Sequence, residues 1–406
     1  MLIDSKNGTG GWEKDPSGEN NQRKTVEILQ GGPEIIDGLA DEWRSLCDAP
    51  GNLMPFNRPE WVKAYFRNND KARFLIFSVR VDGKMKALLP LIERKQKRSL
   101  FSVSVLRGPS DFNLWPTDVV ISPDSDRRAM SSALWDQMAK IGRWDIVVLP
   151  NLPEGGVVED LLTFAERDGF LTRRWEYMHS PYIKLSDWAG EKDPVQIANN
   201  TKLRKNIRQT LRKIQNDGGL KVRHYNHADP DILRRLYELE SAGWKGERGT
   251  AIASREKDVR FINEIASAAQ HFGYLLLSTL EFDGNLIGIA LGFLYKNSYF
   301  GLKLGWDERY RHYSLGHLIV HATLAECLRR GVDDYYMLGL GSSWKERWTK
   351  SVYRYSNLYI FRKGMCGKLL HYLNKIDISK IEKTFEDKGD QIGASVKNVS
   401  GEVPHE

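Results

Sequence analysis

The sequence comprises 406 residues, of which 41% are hydrophobic and 28% are charged, and its formal net charge is +7. These values predict a globular protein of two domains and exclude a low-complexity chain. They also exclude a membrane-spanning helix, because no apolar run reaches the roughly 18 residues that a bilayer requires. The mild positive charge permits an anionic cofactor or nucleic acid as a partner and requires neither.

The N-terminal segment 1–22 is polar and rich in glycine, and it lacks the apolar core of a signal peptide. We therefore expect it to be disordered and the protein to be cytoplasmic. The cysteines, Cys47, Cys327 and Cys366, show neither metal-ligand spacing nor a disulfide framework, as expected in a reducing compartment.

The first half of the chain predicts an α/β or α+β unit of helices followed by a run of antiparallel strands. The predicted elements are a strand at 25–29, helices at 37–46 and from Pro59, strands at 73–81, 84–92, 99–106 and 118–121, a helix at 127–141, a strand at 144–149, a helix at 157–168 and a short strand at 182–185. Asp82-Gly83 predicts a hairpin turn between the second and third strands.

Residues 198–216 carry the most strongly patterned helix of the chain. Its apolar stripe consists of Leu203, Ile207, Leu211 and Ile214, and its basic residues are Lys202, Arg204, Lys205, Arg208, Arg212 and Lys213. The basic face could be a solvated face of a packed helix, a contact for an anionic substrate or carrier, or a contact for nucleic acid. Nucleic acid ranks last, because no aromatic residues are interleaved with the charges.

The second half repeats the mixture of strands and helices. The predicted elements are strands at 220–225, 274–282, 285–294, 297–304, 333–338 and 353–361, and helices at 230–242, 257–272, 316–330 and 365–385. Asp283-Gly284 predicts a second hairpin turn. We expect the last twenty or so residues to be disordered.

The stretch 297–348 carries the clearest functional signal. It reads as a strand, a short basic loop, a helix that begins near Gly316, and another strand. The first N–H groups of a helix lack internal partners and favour an anion, and a glycine there lets a phosphate approach the main chain. Arg309 and Arg311 add positive charge, so the pattern indicates a phosphate site, although an ordinary strand–helix turn has the same appearance.

This stretch resembles the acyl-CoA-binding core of the GNAT acyltransferase superfamily, and in particular its CelD-like branch, associated with cellulose biosynthesis, whose chains pair two GNAT-like halves. The residues that carry the resemblance are Asp307, the turn Ser314-Leu315-Gly316, Asp333-Asp334 and the pair Trp344-Lys345. Leu315 stands where that branch has proline, and the usual phosphate signature is reduced to the segment 311–316.

The first half is similar to the N-terminal half of the same branch. The resembling positions are Trp43, Leu46, Phe56, Trp61, Gly83, Leu89-Pro90-Leu91, Trp144-Asp145 and Ser180-Pro181-Tyr182. The resemblance implies two tandem GNAT-like domains, each a mixed, mostly antiparallel sheet flanked by helices. We place a degenerate domain at 23–190, an acyltransferase domain at 191–365, and a C-terminal helix and tail at 366–406.

The resemblance implies acetyl-CoA or another acyl-CoA as co-substrate, no metal, and an N- or O-acyltransferase that acts on a small-molecule or glycan-precursor acceptor. The genomic neighbourhood of that branch suggests exopolysaccharide or cell-envelope metabolism, with polysaccharide-synthesis proteins as partners. The residues implied to contact the cofactor are Lys303, Leu304, Arg309, Arg311, Ser314, Leu315, Gly316 and His317.

Direct acyl transfer needs a base, oxyanion donors and an acid for the thiolate. Glu240, near the end of a helix and beside a glycine-rich loop, is the first candidate base. Lys245 is a candidate for orienting an acceptor carboxylate or assisting protonation, and Lys345 for binding a phosphate or an acceptor. Tyr310 and Tyr313 are the candidate acids for the thiolate. Each of these residues could equally be a surface or packing residue.

The pair His317 and His321 has the four-residue spacing of a metal site, but no HExxH motif or acidic third ligand accompanies it. Two other functions stay open. A Fem-type transferase would use aminoacyl-tRNA as donor and track the RNA with the basic helix, and a catalytically inactive protein would serve as a scaffold for polysaccharide synthesis.

Overall fold

The computed structural model of the protein describes residues 23–69, 72–98, 101–110, 118–243, 246, 249 and 251–375. The predictions for residues 1–22, for Lys245 and for residues 376–406 lie outside the described residues.

The described strands form one continuous sheet of 13 strands. They are β1 (Lys24–Gly31), β2 (Arg73–Val81), β3 (Lys84–Arg98), β4 (Phe101–Arg107), β5 (Val120–Ile121), β6 (Ile146–Pro153), β7 (Leu171–Lys184), β8 (Leu220–Tyr225), β9 (Leu275–Phe282), β10 (Asn285–Tyr295), β11 (Ser298–Trp306), β12 (Asp334–Tyr336) and β13 (Val352–Phe361). Their order is β1-β2-β3-β4-β6-β13-β7-β12-β11-β10-β9-β8, with β5 beside β3. Most neighbours are antiparallel; β4–β6 and β11–β12 are parallel.

Helices cover both faces of the sheet. They are α1 (Ala40–Asp48), α2 (Pro59–Arg67), α3 (Arg127–Ile141), α4 (Glu159–Arg167), α5 (Thr201–Asp217), α6 (Pro230–Ala242), α7 (Glu256–His271), α8 (Leu315–Arg329) and the short α9 (Ser343–Glu346), and residues 365–375 are also helical. The predicted fold class, α/β with a large, mostly antiparallel sheet between helices, is confirmed.

The two halves share a hydrophobic core on one face of the sheet. Buried residues of α1 and α2 pack there with residues of α6 and α7. The Trp61 ring lies 5.1 Å from Phe293 and 6.0 Å from Phe261, both in the second half. The opposite face carries separate cores under α3 and α4 in the first half and under α5 and α8 in the second.

The hairpin between β10 and β11 joins the halves by polar contacts. Lys296 and Asn297 form its two-residue turn with φ values of 45° and 62°, as a tight hairpin turn requires. The Lys296 ammonium donates hydrogen bonds to the carbonyls of Cys47 (2.7 Å), in the last turn of α1, and of Ala49 and Asn52 (2.8 Å), just beyond it. A cation at the end of a helix satisfies carbonyls that lack partners.

Strand β13 does not extend the second half of the sheet, where the sequence order places it. It lies between β6 and β7 and pairs antiparallel with both. β7 is also longer than the predicted strand at 182–185, since it begins at Leu171, soon after the turn at Gly169. Strand β7 continues to β12 and so connects the two halves of the sheet.

No helix among the described residues is long and apolar enough to cross a membrane.

Candidate functional site

The candidate site lies where β11 and β12 separate. The two strands pair over only three residues, and Phe300 with Tyr336 is the last pair. β11 continues along β10 to Trp306, whereas β12 ends at Tyr336. Among the described strands, the rest of β11 therefore has a partner on one side and an open edge on the other.

A β-bulge stands at the start of this opening. Lys303 pairs with Leu291 and Gly301 pairs with Gly292, so Leu302 has no counterpart on β10. An extra residue on one strand bends that strand and redirects the main-chain groups that follow. The bulge thus helps to turn β11 away from β12.

The direction of the main-chain groups beyond the bulge follows from one hydrogen bond. The Asp307 N–H donates to the Ile287 carbonyl at 2.8 Å and therefore points toward β10. Because main-chain groups alternate in direction along a strand, those of Leu304 point toward the open edge. Lys303, beside the bulge, is half-buried.

Helix α8 begins beside this edge. Ser314 precedes it in the left-handed conformation (φ 49°, ψ 45°), and its side chain makes no capping hydrogen bond. The N–H groups of His317 and Leu318 donate to the Ser314 carbonyl. No acceptor among the described residues takes the N–H groups of Leu315 and Gly316, so they can bind an anion.

Gly316 faces an aromatic ring. A Cβ atom at this position would lie 3.6 Å from the ring of Trp306 at the end of β11. This is an ordinary contact, so the protein itself does not require glycine here. The ring forms one wall of the space in front of the helix.

His317 is held by the segment that follows β12. The Trp348 indole N–H donates to its Nδ1 atom at 3.0 Å, and the Trp344 ring lies 6.2 Å away. Burial, and to a lesser degree Arg347, lowers the pKa of His317 to about 4. His317 is therefore neutral at pH 7, with its proton on Nε2.

The two arginines predicted to contact the cofactor differ in how free their charge is to bind an anion. Arg309 binds the buried Asp307 at 2.7 Å, and Arg235 of α6 binds the same carboxylate at 3.2 Å. These cations lower the pKa of Asp307, the hydrogen bond from Arg309 most of all. Arg311 is exposed and has no ion-pair partner among the described residues, so its charge is the more accessible one.

Tyr313 connects α8 to α5. Its ring is buried, and its hydroxyl donates to the carboxylate of Asp217 at the end of α5. This hydrogen bond raises the pKa of Tyr313 to about 12. The hydroxyl is therefore already engaged outside the opening between the strands.

Lys345 supports the wall opposite β11. Its ammonium donates to the carbonyls of Leu338 and Leu340, the latter at 3.1 Å. Leu338 and Gly339 turn the chain away from β12 with positive φ values of 46° and 74°. Lys345 thus stabilises the turn by which the chain leaves the sheet.

Glu240 lies on the other face of the sheet. Its side chain is buried, with the residue 4% exposed, and Oε2 accepts a hydrogen bond from the Ile252 N–H at 2.9 Å. α6 approaches β11 closely at Gly305, where a Cβ atom would lie 3.1–3.2 Å from atoms of Leu236 and Leu239. Glu240, near the end of α6, therefore sits close to the end of β11.

The structure brings together only some of the predicted site residues. Ser314, Leu315, Gly316 and His317 meet at the start of α8, and Leu304 faces the same opening. Glu240 lies across the sheet from them. The bulge and the indole of Trp348 were not predicted; the glycines at 301 and 305 were the only local signal of an irregular strand.

No group of three or more possible metal ligands occurs among the described residues, so the pair His317 and His321 finds no third ligand there.

The comparisons with known proteins agree with this geometry. Residues 201–346 match the family described as "Acetyltransferase (GNAT) domain". This range contains the bulge, the start of α8 and the wall formed by Lys345, so the part of the chain that forms the candidate site is similar to a GNAT acetyltransferase domain. No curated protein matches the sequence.

Solved structures support the fold of the whole chain. The structure described as FemX shares 12% identity at a TM-score of 0.54 and covers 86% of this chain and 99% of its own. The C-terminal domain of a putative lysylphosphatidylglycerol synthetase from Agrobacterium fabrum shares 14% identity at a TM-score of 0.51, with coverages of 83% and 95%. A tandem GNAT protein from the clavulanic acid biosynthesis pathway is less similar, at a TM-score of 0.46.

Proposed function

We propose that the protein transfers an acyl group from acyl-CoA directly to an amine or hydroxyl acceptor. One observation supports this proposal above the others. The opening between β11 and β12 lies beside a helix start whose first two N–H groups have no acceptor among the described residues. A strand edge for the thioester and a helix start for the diphosphate are thus neighbours.

The donor would be held from the α8 side. The N–H groups of Leu315 and Gly316 would bind the diphosphate, Arg311 would add a nearby charge, and Nε2–H of His317 would add a neutral donor. The main chain at Leu304 would hydrogen-bond the acyl and pantetheine portion. The Asp307 carboxylate does not oppose an anion here, because it is already bound by Arg309 and Arg235.

The acceptor would approach from the α6 side. Glu240 is the proposed base that takes the proton of the acceptor. Lys245 is the proposed contact for the acceptor, and Lys345 would act by holding the opposite wall. Tyr313 would protonate the thiolate only after its hydroxyl leaves Asp217. Holding both reactants in the opening would supply much of the rate.

A glycan precursor of exopolysaccharide or envelope metabolism is the proposed acceptor class, with polysaccharide-synthesis proteins as partners and the cytoplasm as the compartment. This part rests on the resemblance of Asp307, Ser314-Leu315-Gly316 and Trp344-Lys345 to the CelD-like branch.

Isothermal titration with acetyl-CoA and with longer acyl-CoAs tests the donor. We expect Gly316→Glu to weaken binding at least tenfold, because a carboxylate would occupy the anion site. His312→Glu adds the same charge nearby on an exposed residue and should change binding far less. If no acyl-CoA binds, or if both variants behave like the natural protein, the acyltransferase proposal fails.

The Fem-type alternative has one specific observation in its favour, the overall similarity to FemX. Basic residues of α5, including Lys202, Lys205, Arg212 and Lys213, are exposed and could follow an RNA backbone. Binding of tRNA that weakens steeply with salt, without any binding of acyl-CoA, would favour this donor. Complementation by a Glu240→Ala/Lys345→Ala variant would instead favour a scaffold.

A further inference from the structure

The C-terminal helix at 365–375 exposes an apolar stripe. Met365, Leu369 and Tyr372 are 88%, 47% and 62% exposed, and they recur at helical spacing on one face. Isolated exposed apolar residues are common, but three large ones in one stripe mark an interaction surface. The described residues leave this stripe uncovered.

The orientation of this helix is fixed by its other face. Leu370 and Asn374 are buried against the sheet, and the His371 ring packs edge-on against Phe361 at 5.1 Å. Arg173 donates to the His371 carbonyl at 3.3 Å. Rotation of the helix to bury the stripe would break these contacts.

The start of the helix adds a steric constraint. A Cβ atom at Gly367 would lie 1.6 Å from the Arg362 carbonyl oxygen, so the turn before the helix permits only glycine there. Gly364, in the same turn, has a φ of 95°, which favours glycine. The exposure of the stripe is therefore a consequence of the fold.

Positive charge lies along one side of the stripe and before the helix. Lys368 and Lys375 are exposed, and at roughly 100° per residue they lie along one flank of it. Arg362 and Lys363 precede the helix; Arg362 pairs with Asp145 at 3.2 Å, and the Lys363 ammonium lies 4.8 Å from the Phe170 ring. An apolar stripe flanked by lysines is the pattern of a helix that lies in a bilayer interface.

We infer that this helix docks the protein onto the surface of a bilayer that contains anionic phospholipids. Met365, Leu369 and Tyr372 insert at the boundary between headgroups and acyl chains, and the flanking lysines contact the phosphates. This places the protein at a membrane surface. The inference is independent of the proposed reaction.

Sedimentation of the full chain with vesicles tests the inference. Vesicles of phosphatidylcholine are compared with vesicles that also contain about 30 mol% phosphatidylglycerol, and we expect binding mainly to the anionic ones. The triple variant Met365→Glu/Leu369→Glu/Tyr372→Glu should lose at least tenfold in partition. Lys368→Ser should lose about fivefold, only on anionic vesicles and only at low salt.

A matched control carries Leu53→Glu and Val222→Glu, two other exposed apolar residues that are 52% and 43% exposed. It should bind vesicles like the natural protein. Circular dichroism melting shows whether the triple variant folds.

Failure of the natural chain to bind either vesicle overturns the inference. Light scattering would then show whether a second copy covers the stripe, as a dimer that the triple variant abolishes. A cross-link between Lys383 and Lys368 would indicate coverage by the chain's own C-terminal residues. Equal loss of binding in the triple variant and the control would also overturn it.

Discussion

The Trp348 indole N–H donates to Nδ1 of His317 at 3.0 Å, and this hydrogen bond leaves the proton of the neutral imidazole on Nε2. A residue in the first turn of α8 is thereby tied to the segment beyond β12. The two walls of the opening are connected through one side-chain pair.

Replacing Trp348 by phenylalanine removes this donor while keeping an aromatic ring. We expect the two tautomers of His317 to mix and acyl-CoA affinity to fall about tenfold, because the Nε2–H donor is no longer fixed. Long-range proton–nitrogen NMR of the imidazole reports the tautomer directly. A single Nε2–H tautomer in the variant would show that the indole does not set it.

The lowered pKa of His317 gives stability a pH dependence. The unfolded residue titrates near 6.5 and the folded one near 4, so between these values the unfolded state binds more protons. The free energy of unfolding therefore falls as the pH falls through this window, by up to about 3 kcal/mol.

His317→Asn, whose side-chain oxygen can still accept from Trp348, should flatten the slope of unfolding free energy against pH between about 4 and 6.5. Urea denaturation at several pH values measures it. Burial also lowers the pKa of His321. Some dependence of the unfolding free energy on pH should therefore remain in the variant. An unchanged slope would mean that His317 titrates normally in the folded chain.

Lys296 holds the halves together through main-chain carbonyls. Lys296→Met should lower the free energy of unfolding by about 2–4 kcal/mol, because partly buried carbonyls lose their donor. Burial lowers the pKa of Lys296, in keeping with its position between the halves. Lys205→Met, at an exposed site on α5, should change stability by less than about 0.5 kcal/mol.

Gly305 permits the close approach of α6 to β11. Gly305→Val should destabilise the protein by about 1–3 kcal/mol, since the side chain would meet Leu236 and Leu239. Gly38→Ala is the control, because a Cβ atom there meets nothing within 4 Å. Thermal melting compares the two. A Gly305→Val protein as stable as the control would show that Leu236 and Leu239 can move aside without a loss of stability.

Local periodicity carried the prediction of most elements. β2, α3, β8 and α6 have the predicted bounds, because turn or capping residues stand at their ends. Asp126 caps α3 and Asp229 caps α6 through their carboxylates. Such signals lie within a few residues of the element that they define.

The partners of a strand leave no comparable local signal. Nothing in the alternation of β13 distinguishes a place beside β6 and β7 from a place in the second half, because pairing depends on residues some 200 positions away. The bulge at Leu302 and the hydrogen bond from Trp348 to His317 are likewise products of tertiary packing. The start of α8 was predicted because its chemistry is local: a polar turn, a glycine and a helix.

The position of β13 in the sheet also limits how far the chain can fold while it is being synthesised. The first half of the sheet lacks the strand between β6 and β7 until residues 352–361 have left the ribosome, long after β6 and β7 themselves have been made. An N-terminal fragment ending before Val352 would expose the facing edges of β6 and β7, which invites aggregation. Truncated products of translation should therefore depend on chaperones, whereas a chain that includes β13 can pair both of these edges.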